Sequence, residues 1–215
     1  MQSGRDFVSG RAEPLVPMAA AAWHNYLMEN LQLNVALKEW DTVCEALCAG
    51  TQMILLRKGG ILESGGEFEI EHDRFLLFPT FIHQNVQGLK LPYRSLALPV
   101  AAEPQTIAFP GWGEIIRIYH LPGRAMMDSL SDMHIWDTPL IDMRFNYRPD
   151  YPLYILLVRA YRFLSPPTLE NTLDYAGCKS WVPLARALGT AESVRATTPE
   201  QLSAAAARIE TAFRV

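Results

Sequence analysis

The segment Arg144–Tyr147 reads RFNY. Arg144 offers a planar fork of donors, Asn146 an amide that both donates and accepts, and Tyr147 a ring. That combination can hydrogen-bond the edge of a nucleobase while an aromatic stacks on its face. Comparable mixtures occur elsewhere in the chain. Lys38 and Trp40 stand two apart, Arg57 and Lys58 are adjacent, Thr80, His83 and Gln84 follow an apolar run, and Lys179, Ser180 and Trp181 follow Gly177. These are the candidate ligand-binding residues. Each also has a plain structural role open to it. Asn146 can cap a turn, Trp181 can plug the core, and Arg144 can pair with Asp142 or Asp150. Convergence of several clusters on one cleft would decide for the ligand.

Catalysis has weaker support, and whether the chain is an enzyme stays open with no catalytic residue assigned. Glu63 or Glu69 with Lys58 could serve a hydrolase or nuclease. Cys178 beside Lys179, which would lower its thiol pKa, could use His83 or His134 as a base. Glu67, Glu69 and Glu71 alternate along one face, but no lysine stands two residues after any of them. No phosphate-binding loop or dinucleotide glycine fingerprint is present. Metal and cofactor are not expected. Cys44 and Cys48 lie four apart on an apolar helical face and read as buried thiols. His72 with Glu69, Glu71 and Asp73 could hold a hard cation, although an alternating strand edge explains them more simply.

Composition narrows the class. The chain has 215 residues, 49% apolar and 20% charged, with a formal net charge of −4, which fits a globular domain with a real core. Residues 1–140 carry a net −6 and residues 141–215 a net +2. A protein that coats duplex DNA needs a strong basic surplus, so that role is excluded, while a nucleotide or a short single strand is not. Three cysteines, two of them four apart in a helical pattern, do not make a disulfide framework. A cytoplasmic protein with reduced thiols is expected. The longest apolar run, Leu153–Val158, is too short to span a bilayer, and no membrane association is expected.

The elements that must position these residues follow from periodicity. Residues 1–17 have no apolar period and read as a flexible tail, followed by one domain over 18–190 and a helix over 198–215. Ala19–Glu29 reads as a short helix. Asn34 looks like a cap, with Leu37, Trp40, Val43, Cys44, Leu47 and Cys48 at helical spacing and Gly50 at the stop. Met53–Leu56 reads as a strand before a Gly-Gly turn, Glu67–Glu71 as a half-exposed strand, and Phe75–Phe78 as an apolar run ending at Pro79, which could open a helix. Ile115–Leu121 reads as a strand, Met126–Trp136 as helical, and Leu153–Val158 as a central strand. Thr198, Pro199 and Gln201 form a capping-box pattern. Leu202, Ala206, Ile209 and Phe213 then give the helix Pro199–Arg214 one apolar face, to pack on the domain or on a partner.

Two resemblances follow from these segments. Gly50, Gln52, Leu55 and Arg57 are spaced like the G-x-K-x-x-T/E-x-R signature of ASCH domains, in the PUA-like group of small β-barrels, with Gln52 and Leu55 replacing two of its polar positions. More of the chain resembles domain-of-unknown-function family 1802, through ALKEW at 36–40, LRKGGI at 56–61, FLLFPT at 75–80, HQ at 83–84, RFNY at 144–147 and YAGCKSW at 175–181. That resemblance implies a set of positions and no activity.

The expectation is an α+β chain: a single domain with a mixed sheet or a PUA-like barrel flanked by helices, plus a C-terminal amphipathic helix. Its expected function is non-enzymatic binding of RNA, a modified base or a nucleotide-like ligand in a polar pocket. The alternatives are a small hydrolase or nuclease, and a scaffold that holds a protein partner through the C-terminal helix.

Overall fold

The computed structural model describes residues 31–58, 72–82, 84–97, 100–177 and 179–213. The expected elements Ala19–Glu29 and Glu67–Glu71, with Glu63, His83 and Cys178, lie outside them.

Apolar runs with both faces buried make the centre of the sheet. Strand β1 (Gln32–Trp40) leads into helix α1 (Asp41–Cys48), followed by β2 (Ile54–Lys58) and β3 (Arg74–Thr80). A short β4 (Thr106–Ala108) precedes the long β5 (Gly111–His120), the single-turn α2 (Met126–Ser129) and α3 (Thr138–Asn146). Then come β6 (Leu153–Phe163), β7 (Thr168–Glu170), β8 (Trp181–Gly189), β9 (Ser193–Arg195) and α4 (Pro199–Ala212). Seven strands form a mixed sheet in the order β2-β6-β5-β3-β1-β8, with β9 paired to β6, and β4 and β7 form a separate two-stranded ladder. β1 and β3 run parallel, and every other pair is antiparallel. The expected mixed sheet is thus found. Among the described residues its backbone ladder has two ends and does not close into a barrel.

Alternation along β3 shows why the sheet has two cores. Phe75 and Leu77 face one apolar cluster with α1, α3 and α4, whereas Leu76 and Phe78 face another with Ile107, Leu169 and Tyr175. Across the strands, Trp112 of β5 stacks on its partner Tyr161 of β6, with centroids 3.9 Å apart. Glu114 bonds Arg74 on one side and Arg159 on the other, joining β3, β5 and β6.

Three expectations are corrected here. The helix read from Asn34 is helical only over 41–48. Residues 32–40 form a strand, because β8 pairs with residues 32–37 and β3 with residues 36–40, and both faces are buried over Val35, Ala36 and Leu37. Pro79 opens no helix and lies inside β3, opposite Glu39. Of Met126–Trp136 only 126–129 is α-helical. A 3-10 turn over 131–133 follows, and Trp136 then bridges to Leu89 in an extended conformation.

The C-terminal helix keeps its sequence signature. Thr198 and Gln201 make both bonds of the capping box. Leu202, Ala205 and Ile209 enter the main core. Arg208 bonds Asp132, and Arg117 bonds Glu210. The apolar face expected to meet either the domain or a partner packs on the domain. Among the described residues, no helix is long and apolar enough to cross a membrane.

Candidate ligand-binding cavity

The parallel pair β1 and β3 ends at one edge of the sheet, with Lys38 opposite Phe78 and Trp40 opposite Thr80. Parallel strands release their last residues in the same direction, so this edge gathers Lys38, Glu39, Trp40, Phe78 and Thr80 around one opening. The sheet also curls enough to bring β2, at its far end, back to β1. Arg57 of β2 donates to the Glu39 carboxylate and, at 3.1 Å, to the Lys38 carbonyl. A side-chain ion pair therefore bridges the seam that the backbone leaves open. Glu39 is 2% exposed and Arg57 11%. Burying a carboxylate costs its hydration, which such a partner offsets.

A cavity of about 730 Å³ opens beside this seam. Its wall includes Lys38, Glu39, Trp40, Arg57, Thr80 and Arg144, and its far side is formed by residues 171–173 and 175–177 with Lys179 and Ser180. Arg144 stands in the last turn of α3. It donates to the Leu56 carbonyl at 3.1 Å, and its guanidinium lies 5.9 Å from the Trp40 ring centroid and 5.2 Å from that of Trp136. Burial pulls the Arg144 pKa below the ordinary arginine value, Glu39 opposes the shift, and Arg57 adds to it. Lys38 reaches across to the Tyr175 and Gly177 carbonyls, tying β1 to the loop. Thr80 donates its hydroxyl to the Glu39 carbonyl at 2.9 Å. Glu103 accepts from the Phe81 and Ile82 amides at 3.0 Å, fixing the turn after β3.

The four basic residues Lys38, Arg57, Arg144 and Lys179 outnumber the two acids Glu39 and Glu103 among the lining residues. A chain of net negative charge thus concentrates positive charge at one concave place. The arrangement suits an anion attached to a flat group, since the Trp40 ring lies among the cations. Among the described lining residues there is no histidine and no cysteine.

Of the sequence candidates, Lys38, Trp40, Arg57, Thr80, Arg144, Lys179 and Ser180 come together here. The others that the structure describes do not line the cavity. Lys58 points the opposite way to Arg57, as strand alternation requires, and donates to the Phe145 carbonyl. Gln84 accepts from the Thr42 amide and hydroxyl, capping α1 from a distant loop. Asn146 is exposed at the end of α3. Tyr147 pairs its ring with Arg148. Trp181 packs edge-on against Phe75 and His72. Arg144 makes neither of its expected pairs, and Asp142 bonds Arg124 instead. Sequence reasoning missed Glu39, Glu103, Asn171 and Leu173 as lining residues. Glu39 stands within the ALKEW motif, and a lone acid flanked by Lys38 and Trp40 in an apolar strand is the signal that could have found it.

Cys44 and Cys48 are buried thiols on α1, away from the cavity, and burial pushes Cys48 up to about 12. Among the described residues no group of His, Cys, Asp and Glu is arranged to hold a metal ion.

Fold and cavity define an α+β domain in which a curled mixed sheet carries a cationic chamber at one edge. The family model described as "Domain of unknown function (DUF1802)" matches residues 36–208, and the chain belongs to that family. No curated protein matches. Among solved structures, the crystal structure of ASCH from Zymomonas mobilis is similar at 10% identity, covering 70% of this chain and 86% of that one, with a TM-score of 0.42. A single-residue variant of that protein gives 9% identity, 70% and 87% coverage, and a TM-score of 0.43.

Proposed function

We propose that the cavity is a binding site for RNA, a modified base or a nucleotide-like ligand, which it holds without chemical turnover. The observation that supports this reading is the gathering of Lys38, Arg57, Arg144 and Lys179, from four separate segments, in the wall of one cavity that Trp40 also lines, with Arg144 5.9 Å from the Trp40 ring centroid. Lys38 and Lys179 stand at the loop side and would meet phosphate oxygens. Trp40 would stack on a base, with Arg144 behind its ring. Arg57 would act by holding the Glu39 carboxylate in place, since its terminal nitrogens already bond Glu39 and Lys38. Thr80 and Ser180 would complete the polar wall. A cytoplasmic location accompanies this reading.

The test is thermal stabilisation of the full chain by the four nucleoside monophosphates and by short single-stranded RNA, with the ligands checked for turnover afterwards. Stabilisation should appear for RNA, weaken as salt rises, and need about tenfold more ligand in Lys179→Ala, as expected for loss of one charged hydrogen bond. Lys179 is preferable to Arg144 as the probe because it is exposed, whereas Arg144 also supports Leu56 and Trp136. Absence of stabilisation by every nucleotide and RNA would end the reading, and conversion of the ligand would replace it with an enzyme.

A further inference from the structure

The mouth of the cavity differs from its interior. Leu173 is 92% exposed and Ile82 46%, and both line the same opening as the cations. An exposed leucine alone needs no explanation. Here two large apolar side chains, from separate loops, meet water at the opening of one charged chamber. Both loops are anchored. The backbone amide of Ile82 donates to Glu103, and Leu173 begins a 3-10 turn whose Tyr175 packs against Phe78 and whose Tyr175 hydroxyl accepts from the Ala185 amide. The lips are therefore held apart on a fixed frame. Beside Leu173, the polar residues Asn171 and Thr172 also line the opening, with the Asn171 amide nitrogen donating to the Pro104 carbonyl at 2.8 Å.

Resting on the reading that the interior holds a nucleotide, we infer that the lips hold its neighbour. The ligand is a single-stranded RNA segment of at least two nucleotides, with one base within reach of Trp40 and the adjacent base flat against Leu173 and Ile82. A base suits this lip better than an acyl chain does. Its face is apolar and its edge is polar, matching leucine and isoleucine faces beside the Asn171 and Thr172 groups. The linking phosphate would pass Lys38 and Lys179 at the same rim. A free mononucleotide would leave both apolar side chains in water.

The experiment compares binding of 5′-phosphorylated mononucleotides, the corresponding 5′-phosphorylated dinucleotides and a six-nucleotide single-stranded RNA to the full chain and to Leu173→Ser. Calorimetry provides the affinities. The dinucleotide should bind about fivefold or more tighter than the mononucleotide, as expected for burying one base face against two aliphatic side chains. Leu173→Ser should remove most of that gain and weaken the mononucleotide far less than the dinucleotide. Its exposure makes loss of fold by this substitution implausible, and an unchanged thermal midpoint would verify that. Equal affinity for the two lengths, or equal weakening of both by Leu173→Ser, would overturn the lip assignment while leaving the cavity reading intact. Failure of every nucleotide to bind would overturn both.

Discussion

His134 and Asp41 are single residues whose environments act on stability in opposite directions. His134 is buried and stacked on Trp136, which also supports Arg144. Burial, reinforced by the nearby Lys90 ammonium and opposed by Asp132, lowers its pKa from 6.5 to about 4. The unfolded chain therefore takes up a proton below pH 6.5 that the folded chain refuses until about pH 4. Stability should fall across that window, by up to about 3 kcal/mol from this group. Asp41, half-buried at the start of α1 near Glu45 and Glu103, is raised from 3.8 to about 6 by burial and by those two acids. It binds its proton more tightly when folded, so its contribution rises as the pH falls from 6 towards 3.8. The wild-type slope between pH 6 and 4 should be shallow because the two oppose each other. Urea midpoints across this range should fall more steeply in Asp41→Asn, and His134→Gln should gain stability on acidification. An Asp41→Asn curve parallel to wild type would refute the assignment. At this scale residue type carried much of the cavity, since Lys38, Trp40, Arg57, Arg144 and Lys179 declare their chemistry wherever they fold. The role of Glu39 was hidden, because its partner Arg57 is 18 positions away and on another strand.

Among the elements, the exit from α1 combines a left-handed backbone with a close approach. Gly50 has φ 73°, and a Cβ built there would stand 2.4 Å from the Ala196 carbonyl oxygen. Gly177 has φ 87° with nothing within 4 Å of such a Cβ. Alanine at Gly177 should cost only the left-handed conformation, about 1–2 kcal/mol. Alanine at Gly50 should cost clearly more, because Ala196, the residue after β9, approaches the helix end, and equal losses in chemical denaturation would disprove a role for that contact. Elements governed by local signals were legible: α4 announces itself by its cap and its period, and the Gly50 stop is where it was read. β1 was not, because Leu37, Trp40, Val43 and Leu47 fit helical spacing. What makes 32–40 a strand is the ladder it forms with residues far along the chain.

For the whole molecule, α4 is part of the fold. Leu202, Ala205 and Ile209 share one core with β2, β6 and α1. Burial of the leucine and isoleucine side chains alone is worth roughly 1.5–3 kcal/mol each, against a total of about 5–15 kcal/mol for a typical domain. A chain ending at Thr198 should lose its near-ultraviolet dichroism and its cooperative melt. A truncated chain with an unchanged melting midpoint would show that the helix is an accessory after all. Global shape was legible in class but not in closure, because nothing local states how far a sheet will curl. That curl leaves β2 and β1 joined by Arg57 and Glu39, with no strand-to-strand ladder between them. In a closed barrel the bore is set by the number of strands and can change only in large steps. Here two side chains act as the spacer, so the width of the chamber at this joint is set by the reach of Arg57 and Glu39 and changes with a point substitution at either one.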